Sequence, residues 1–200
     1  MTDRIDIVNN LYEEASNDEG KLSELVDALA SDSRRTRQNA ASAIYLLAKD
    51  DASRLTGYID EFIDALNRPE AQTRWEILET MTLLVEYDAR GCSKAIQEAE
   101  ANLFDEDSGP VRLGAMKLLC KVGATTANRS EKVWPLIDEG IQCYHGDLEF
   151  NDMLNAIIEF SSGKLSDSVK EQLAARMSFD STNGKGTLKK RATQIIENLQ

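Results

Sequence analysis

The strongest constraint in this 200-residue sequence is an apolar pattern of helical spacing that returns in one register every 37 to 39 residues. Arg37 to Leu47, Arg74 to Leu84 and Arg112 to Val122 align without a gap. Phe150 to Phe160 and Lys189 to Leu199 continue the frame. One column reads Ala40, Ile77, Ala115, Met153, Ala192, and the last reads Leu47, Leu84, Val122, Phe160, Leu199. Between them lie the pairs Ala43/Ile44, Thr80/Met81, Leu118/Leu119, Ala156/Ile157 and Ile195/Ile196. Spacing of i, i+3/i+4, i+7 marks one face of a helix, and no stretch shows the period-two alternation of a strand. A lone unit has nothing to bury its stripe against, so neighbouring units must stack.

Each of these five helices follows another amphipathic one. Leu22, Leu25, Val26 and Leu29 mark the first, and Ile59, Phe62, Ile63 and Leu66 the second. Ala95, Ile96, Ala99 and Leu103 mark the third, Val133, Leu136, Ile137 and Ile141 the fourth, and Val169, Leu173 and Met177 the fifth. Turn-forming residues join each pair: Ser31 to Ser33, Asn67 to Pro69, Asp105 to Pro110, Tyr144 to Asp147 and Phe179 to Gly186. A leading helix over about Asp3 to Ala15 carries Ile5, Val8, Leu11 and Tyr12 on one stripe and reads as an N-terminal cap. The expected organisation is one domain over 1–200, with the cap in 1–18 and five helix pairs in 20–200.

These residues resemble the HEAT-repeat family, with armadillo repeats as the near neighbour. The resemblance is carried by a turn Asp, a Val/Thr-Arg step and an Ala-rich second helix: Asp32…Thr36-Arg37…Ala40, Thr73-Arg74, and Asp107…Val111-Arg112…Ala115. Val133-Trp134-Pro135-Leu136-Ile137 is similar to a HEAT first helix. Phe150 and Lys189 depart from the Arg column in the last two units. The resemblance implies an all-α, right-handed α-α superhelix of about five HEAT-like pairs behind a capping helix. It also implies that Arg37, Arg74 and Arg112 support packing between repeats, by bridging to preceding turn acids or to carbonyls at helix ends.

With Ala40, Ile44 and Leu47 inward, the opposite face of that second helix carries Gln38, Ser42, Tyr45 and Lys49. The same offsets give Trp75, Glu79, Thr82 and Glu86, then Leu113, Lys117 and Cys120. Asn151, Asn155 and Ile158 follow, then Lys190, Gln194 and Glu197. In a solenoid of this kind these positions line the concave face, which makes Trp75 and Leu113 expected neighbours. A large aromatic also packs readily into a seam between repeats, and that is the expectation for Trp75. The expected partner-binding set is Tyr45, Trp75, Glu79, Leu113, Lys117, Asn151 and Asn155. Armadillo proteins hold basic extended peptides with Trp-x-x-x-Asn. Here Trp75 has Glu79 at that offset, and Asn151-x-x-x-Asn155 repeats only the amide half.

Composition removes most catalytic alternatives. There are 35 acidic against 23 basic side chains, a net charge of -12, and one His. A lone His cannot supply the His-Glu pairs of iron-dependent HEAT-like hydroxylases. His145 lies in a Tyr-His-Gly-Asp turn beside Cys143 and reads as a solvated turn residue, not half of a Cys-His pair. Gly184-Lys185-Gly186 lacks the earlier Gly, the following Ser or Thr and the preceding strand of a phosphate loop. Cys92, Cys120 and Cys143 are odd in number and contain no Cys-x-x-Cys, which points to reduced thiols.

No signal-peptide pattern or membrane-length apolar run is present, and the expected address is the cytoplasm. The expected function is therefore non-enzymatic: a scaffold binding a protein or peptide, cationic by charge complementarity, with no cofactor and no metal. The alternative is a HEAT-like DNA-binding protein of the alkylpurine DNA glycosylase type, which the negative charge opposes. A polar outer face on the last helix (Lys190, Gln194, Glu197) suits a closed end and a monomer.

Overall fold

In a computed structural model that describes residues 4–200, the described residues form α-helices, short 3-10 segments and turns, with no strand. The leading helix α1 spans Arg4–Asn17. The five pairs follow in order. They are α2 (Glu19–Asp27) with α3 (Arg34–Asp51), α4 (Ile59–Ala65) with α5 (Ala71–Cys92), and α6 (Ile96–Leu103) with α7 (Gly109–Gly123). Then come α8 (Ala127–Tyr144) with α9 (Phe150–Ser161), and α10 (Asp167–Asn183) with α11 (Gly186–Asn198). The shorter first helices are completed by 3-10 turns at Ala28–Ala30, Ala52–Tyr58 and Ser93–Ala95.

Side-chain chemistry sets these boundaries. Ser33, Ser108, Thr126 and Ser166 each accept a hydrogen bond from a backbone N–H three residues on, at the starts of α3, α7, α8 and α10. Asp18 does the same at α2, accepting from Gly20 and Lys21. At α5 and α9 the cap residues are Glu70 and Glu149, which do not cap with their side chains. Those two carboxylates are used elsewhere, as described below.

The chain divides into two compact units, Met1–Glu98 and Ala99–Gln200. In the first, α3 packs on α1 and α5; its Ala40, Ala43, Ile44 and Leu47 are buried, as are Phe62, Leu66, Ile77 and Met81 of the same unit. In the second, α7 packs on α8 and α9, burying Ala115, Leu118, Leu119, Val122, Ile137, Met153, Ile157 and Phe160. Nearly every repeat column is core. The exceptions are terminal: Ile196 on α11 and Leu199 just past its end are only half-buried. Close approach is enforced at Gly123, where an added Cβ would stand 2.4 Å from Val133 Cγ2 and 2.7 Å from a Phe160 ring carbon.

Three expectations need correction. Ile5 belongs to the cap stripe by spacing, yet it is 66% exposed, because α1 buries only Val8 and Ala15 fully; Asp3 lies outside the described residues. Cys120 is buried in α7 and does not face outward. The segment from Phe179 is not a turn, since α10 continues to Asn183. Side chains there bond back to the helix: Ser181 and Thr182 donate to the Ser178 carbonyl and Asn183 to that of Phe179. The connection shrinks to Gly184-Lys185. It is tight enough that a Cβ on Gly184 would lie 2.3 Å from the Asp180 carbonyl oxygen, and Gly186 takes a φ of +56°.

Candidate functional site

Arg37 and Arg112 of the Arg column hold structural ion pairs, and their acidic partners come from the next repeat. Arg37 donates through Nε to Glu70 Oε2 at 3.1 Å and through Nη2 to Glu70 Oε1, with Nη1 on the Ser31 and Asp32 carbonyls. Arg112 repeats the arrangement in the second unit. Its Nε donates to Glu149 at 2.8 Å and its Nη1 to the Asp105 carbonyl at 2.9 Å, while its guanidinium stacks on Tyr144. The carbonyls of the preceding turn are bonded as expected; the carboxylate cap belongs to the following second helix. The Arg37 hydrogen bonds hold Glu70 below the usual carboxylate range. Burial works against ionisation of Glu149, but the Arg112 donors outweigh it and the net shift is also downward.

His145 is not simply solvated. Its Nε2 lies 3.0 and 3.2 Å from the two carboxylate oxygens of buried Asp180 on α10, and its ring packs 5.0 Å from that of Phe150. This contact ties the α8–α9 turn to α10 and engages the His in a structural pair.

In the first unit the outward sides of α3 and α5 and one edge of α1 enclose a groove of about 410 Å³. Tyr45, Leu46 and Trp75 wall it on one side, Ile5 and Val8 on the other. Trp75 is half-buried and faces this groove beside Tyr45, so it is neither fully exposed nor sunk in a seam. The groove also carries a carboxylate: Glu76 is 6% exposed. The Ser42 hydroxyl lies 2.9 Å from both its oxygens and the Gln72 amide donates at 3.3 Å. Arg4 donates to Asn39 Oδ1 at 3.3 Å, and its charge partly offsets the effect of burial on Glu76. Burial still dominates and raises the Glu76 pKa above its ordinary value.

Of the expected partner-binding residues, Tyr45 and Trp75 are thus brought together. Glu79, one turn beyond Trp75, is half-buried and engaged in an interaction of its own. In the second unit Leu113 and Lys117 are half-buried on α7, and Asn151 and Asn155 are exposed one turn apart on α9. The Asn151 carbonyl accepts from Arg191 of α11. Sequence periodicity missed Glu76, Gln72 and Arg4. Two positions past the Arg column the chain reads Asn39, Glu76, Gly114, Asp152 and Arg191, all polar or Gly, so the column looks solvent-facing. The only sequence signal was that Asn39 and Glu76 stand in register with Gly114, which has no side chain to solvate.

No protein-family model and no curated protein matches the sequence. Solved structures do. An engineered protein from a structural genomics consortium matches at a TM-score of 0.77 and 14% identity, over 99% of this chain and 92% of that one. A designed armadillo repeat protein in complex with the peptide (KR)4 matches at 0.75 and 14%, over 96% and 91%. The archaeal HEAT-like repeats protein from Thermococcus onnurineus NA1 matches at 0.58 and 14%, over 100% and 97%. The fold is the HEAT/armadillo repeat fold. In its terms, the groove lies between the capping helix and the outward faces of the second helices of repeats one and two. The Arg37–Glu70 pair joins those two repeats. At these identities the likeness is one of fold.

No helix among the described residues is long and apolar enough to cross a membrane. Among the same residues, no three His, Cys, Asp or Glu side chains are grouped to hold a metal ion. Cys92 is buried and its thiol pKa is pushed up to about 12, chiefly by burial. Burial raises that of Cys120 as well, while Cys143 is exposed.

Proposed function

We propose that this HEAT/armadillo scaffold binds a protein or peptide partner in the groove formed by α1, α3 and α5, without catalysing a reaction. The observation that carries the reading is Glu76. A carboxylate with little exposure and a raised pKa costs stability at neutral pH, and a core carboxylate would be replaced by an apolar residue without loss of fold. Here it faces a groove walled by Tyr45, Trp75 and Leu46, where an aliphatic stem ending in a cation would bury the stem and neutralise the acid. The first unit carries twenty acidic against eleven basic side chains, so its field attracts such a partner at long range. Nucleic-acid phosphate would meet the same field and be repelled, which favours a protein partner over a duplex. By this reading the address is the cytoplasm and no cofactor is required.

The test is titration of an alternating Lys-Arg octapeptide into wild type, Glu76→Gln and Trp75→Ala at about 50 and 300 mM salt. Binding that weakens with salt and drops by about tenfold in each variant supports the groove. Equal affinity in all three proteins removes it.

A further inference from the structure

We propose that the outer side of α8 and α10 is a self-association surface on which two copies of this chain meet about a two-fold axis. These first helices of the fourth and fifth pairs pack side by side, joined by Trp134 Nε1 donating to Gln172 Oε1 at 2.9 Å and by Arg176 Nε donating to Asp138 at 2.6 Å. Between them lies a hollow of about 460 Å³ lined by Trp134, Asp138, Gln172, Ala175, Arg176 and Phe179. Trp134 is only 5% exposed, whereas Phe179 is 70% exposed. A knob of ring size therefore stands at the edge of a hollow with an indole and an alanine in its lining.

A two-fold interface needs one patch that is complementary to itself. This one holds both halves of the apolar fit, Phe179 as the knob and the Trp134–Ala175 hollow as its seat. It holds both charges as well, since Asp138 and Arg176 can each face the opposite member of the second copy. Phe179 is also an aromatic anchor of the size that dominates protein interfaces, rimmed by polar groups. Overall charge decides where copies can meet. The second unit has fifteen acidic against twelve basic side chains, so bringing two such units together meets far less repulsion than two first units would. The exposed Lys190, Gln194 and Glu197 of α11 argue against end-to-end association; they bear on a different face and leave this one available.

The patch is small, so association is weak and appears as concentration rises. Sedimentation equilibrium of the full chain from about 5 to about 500 μM should show the average mass rising from 22.2 kDa toward twice that value. Phe179→Asp, at an exposed position, should keep its helical circular dichroism and stay at the monomer mass throughout. The paired swap Asp138→Arg with Arg176→Asp should associate like wild type, because it restores the charge match both within and between copies. Arg176→Asp alone should lose association by tenfold or more. A wild-type mass fixed at the monomer value across the range would overturn the proposal, and so would a Phe179→Asp protein that is folded and associates unchanged.

Discussion

Arg37 and Glu70 stand 33 residues apart in sequence and form a two-point ion pair that fastens the second helix of one repeat to the start of the second helix of the next. Both side chains are nearly withdrawn from water. Glu70 occupies a helix N-cap but does not cap; it answers the guanidinium of the preceding repeat. Removing one member leaves the other buried and uncompensated. Arg37→Ala should lower Tm by about 4–10 °C, and the double change Arg37→Met with Glu70→Leu should recover most of that loss. Differential scanning fluorimetry of wild type and the two variants decides it. A single variant melting with wild type would contradict this role.

The acid limb follows from the same pairs. The pKa values of Glu70 and Glu149 are lowered on folding, so their contribution is present above the unfolded carboxylate value of about 4.3 and is lost as pH falls through the folded values. Glu76 has the opposite sign. Its raised pKa means an energetic cost at neutral pH that is relieved as pH falls through its folded value. Glu76→Gln should therefore raise Tm by a few degrees at pH 7, with the advantage shrinking toward pH 4. Melting curves across pH 3–8 should show this crossover; a Glu76→Gln protein that is less stable at pH 7 would exclude it.

Core geometry offers a third check. Gly123 sits where α7 meets α8 and α9, and Val133 and Phe160 occupy the space of any added methyl. Gly123→Ala should cost about 1–3 kcal/mol in urea unfolding, despite the better helix propensity of Ala. An unchanged midpoint would show that the three helices have room to move apart.

Thiol accessibility separates the three cysteines. Cys143 is exposed, whereas Cys92 and Cys120 are buried with raised pKa values. A maleimide should label one site per native chain, mapped by peptide mass to Cys143, and all three after unfolding. Rapid labelling of Cys120 in the native protein would place α7 outward, against the core assignment.

Most of the fold was legible because a stacked repeat states its core several times over. Ala40, Ile77, Ala115, Met153 and Ala192 share one column, and any one of them alone would be ambiguous. Ser33, Ser108, Thr126 and Ser166 fix helix starts for a local reason, the capping bond. What escaped depends on contacts far apart in sequence. Polar Glu76 reads as solvent-facing until Ser42 and Gln72 are seen beside it, and Ile5 reads as buried until the incomplete cover of α1 is seen. Residues 179–183 look like a turn in composition. The contact of His145 with the Asp180 carboxylate, and hydrogen bonds from the Ser181 and Thr182 hydroxyls back to the helix, hold them there.

On this reading the groove between α1, α3 and α5 binds a cation-bearing peptide through Glu76. Its most direct test is fluorescence anisotropy of a labelled Lys-Arg octapeptide with wild type and Glu76→Gln, both confirmed folded by melting. Glu76→Gln should bind at least about tenfold more weakly while melting higher at pH 7. A Glu76→Gln protein that melts higher and binds the peptide as tightly as wild type would contradict it.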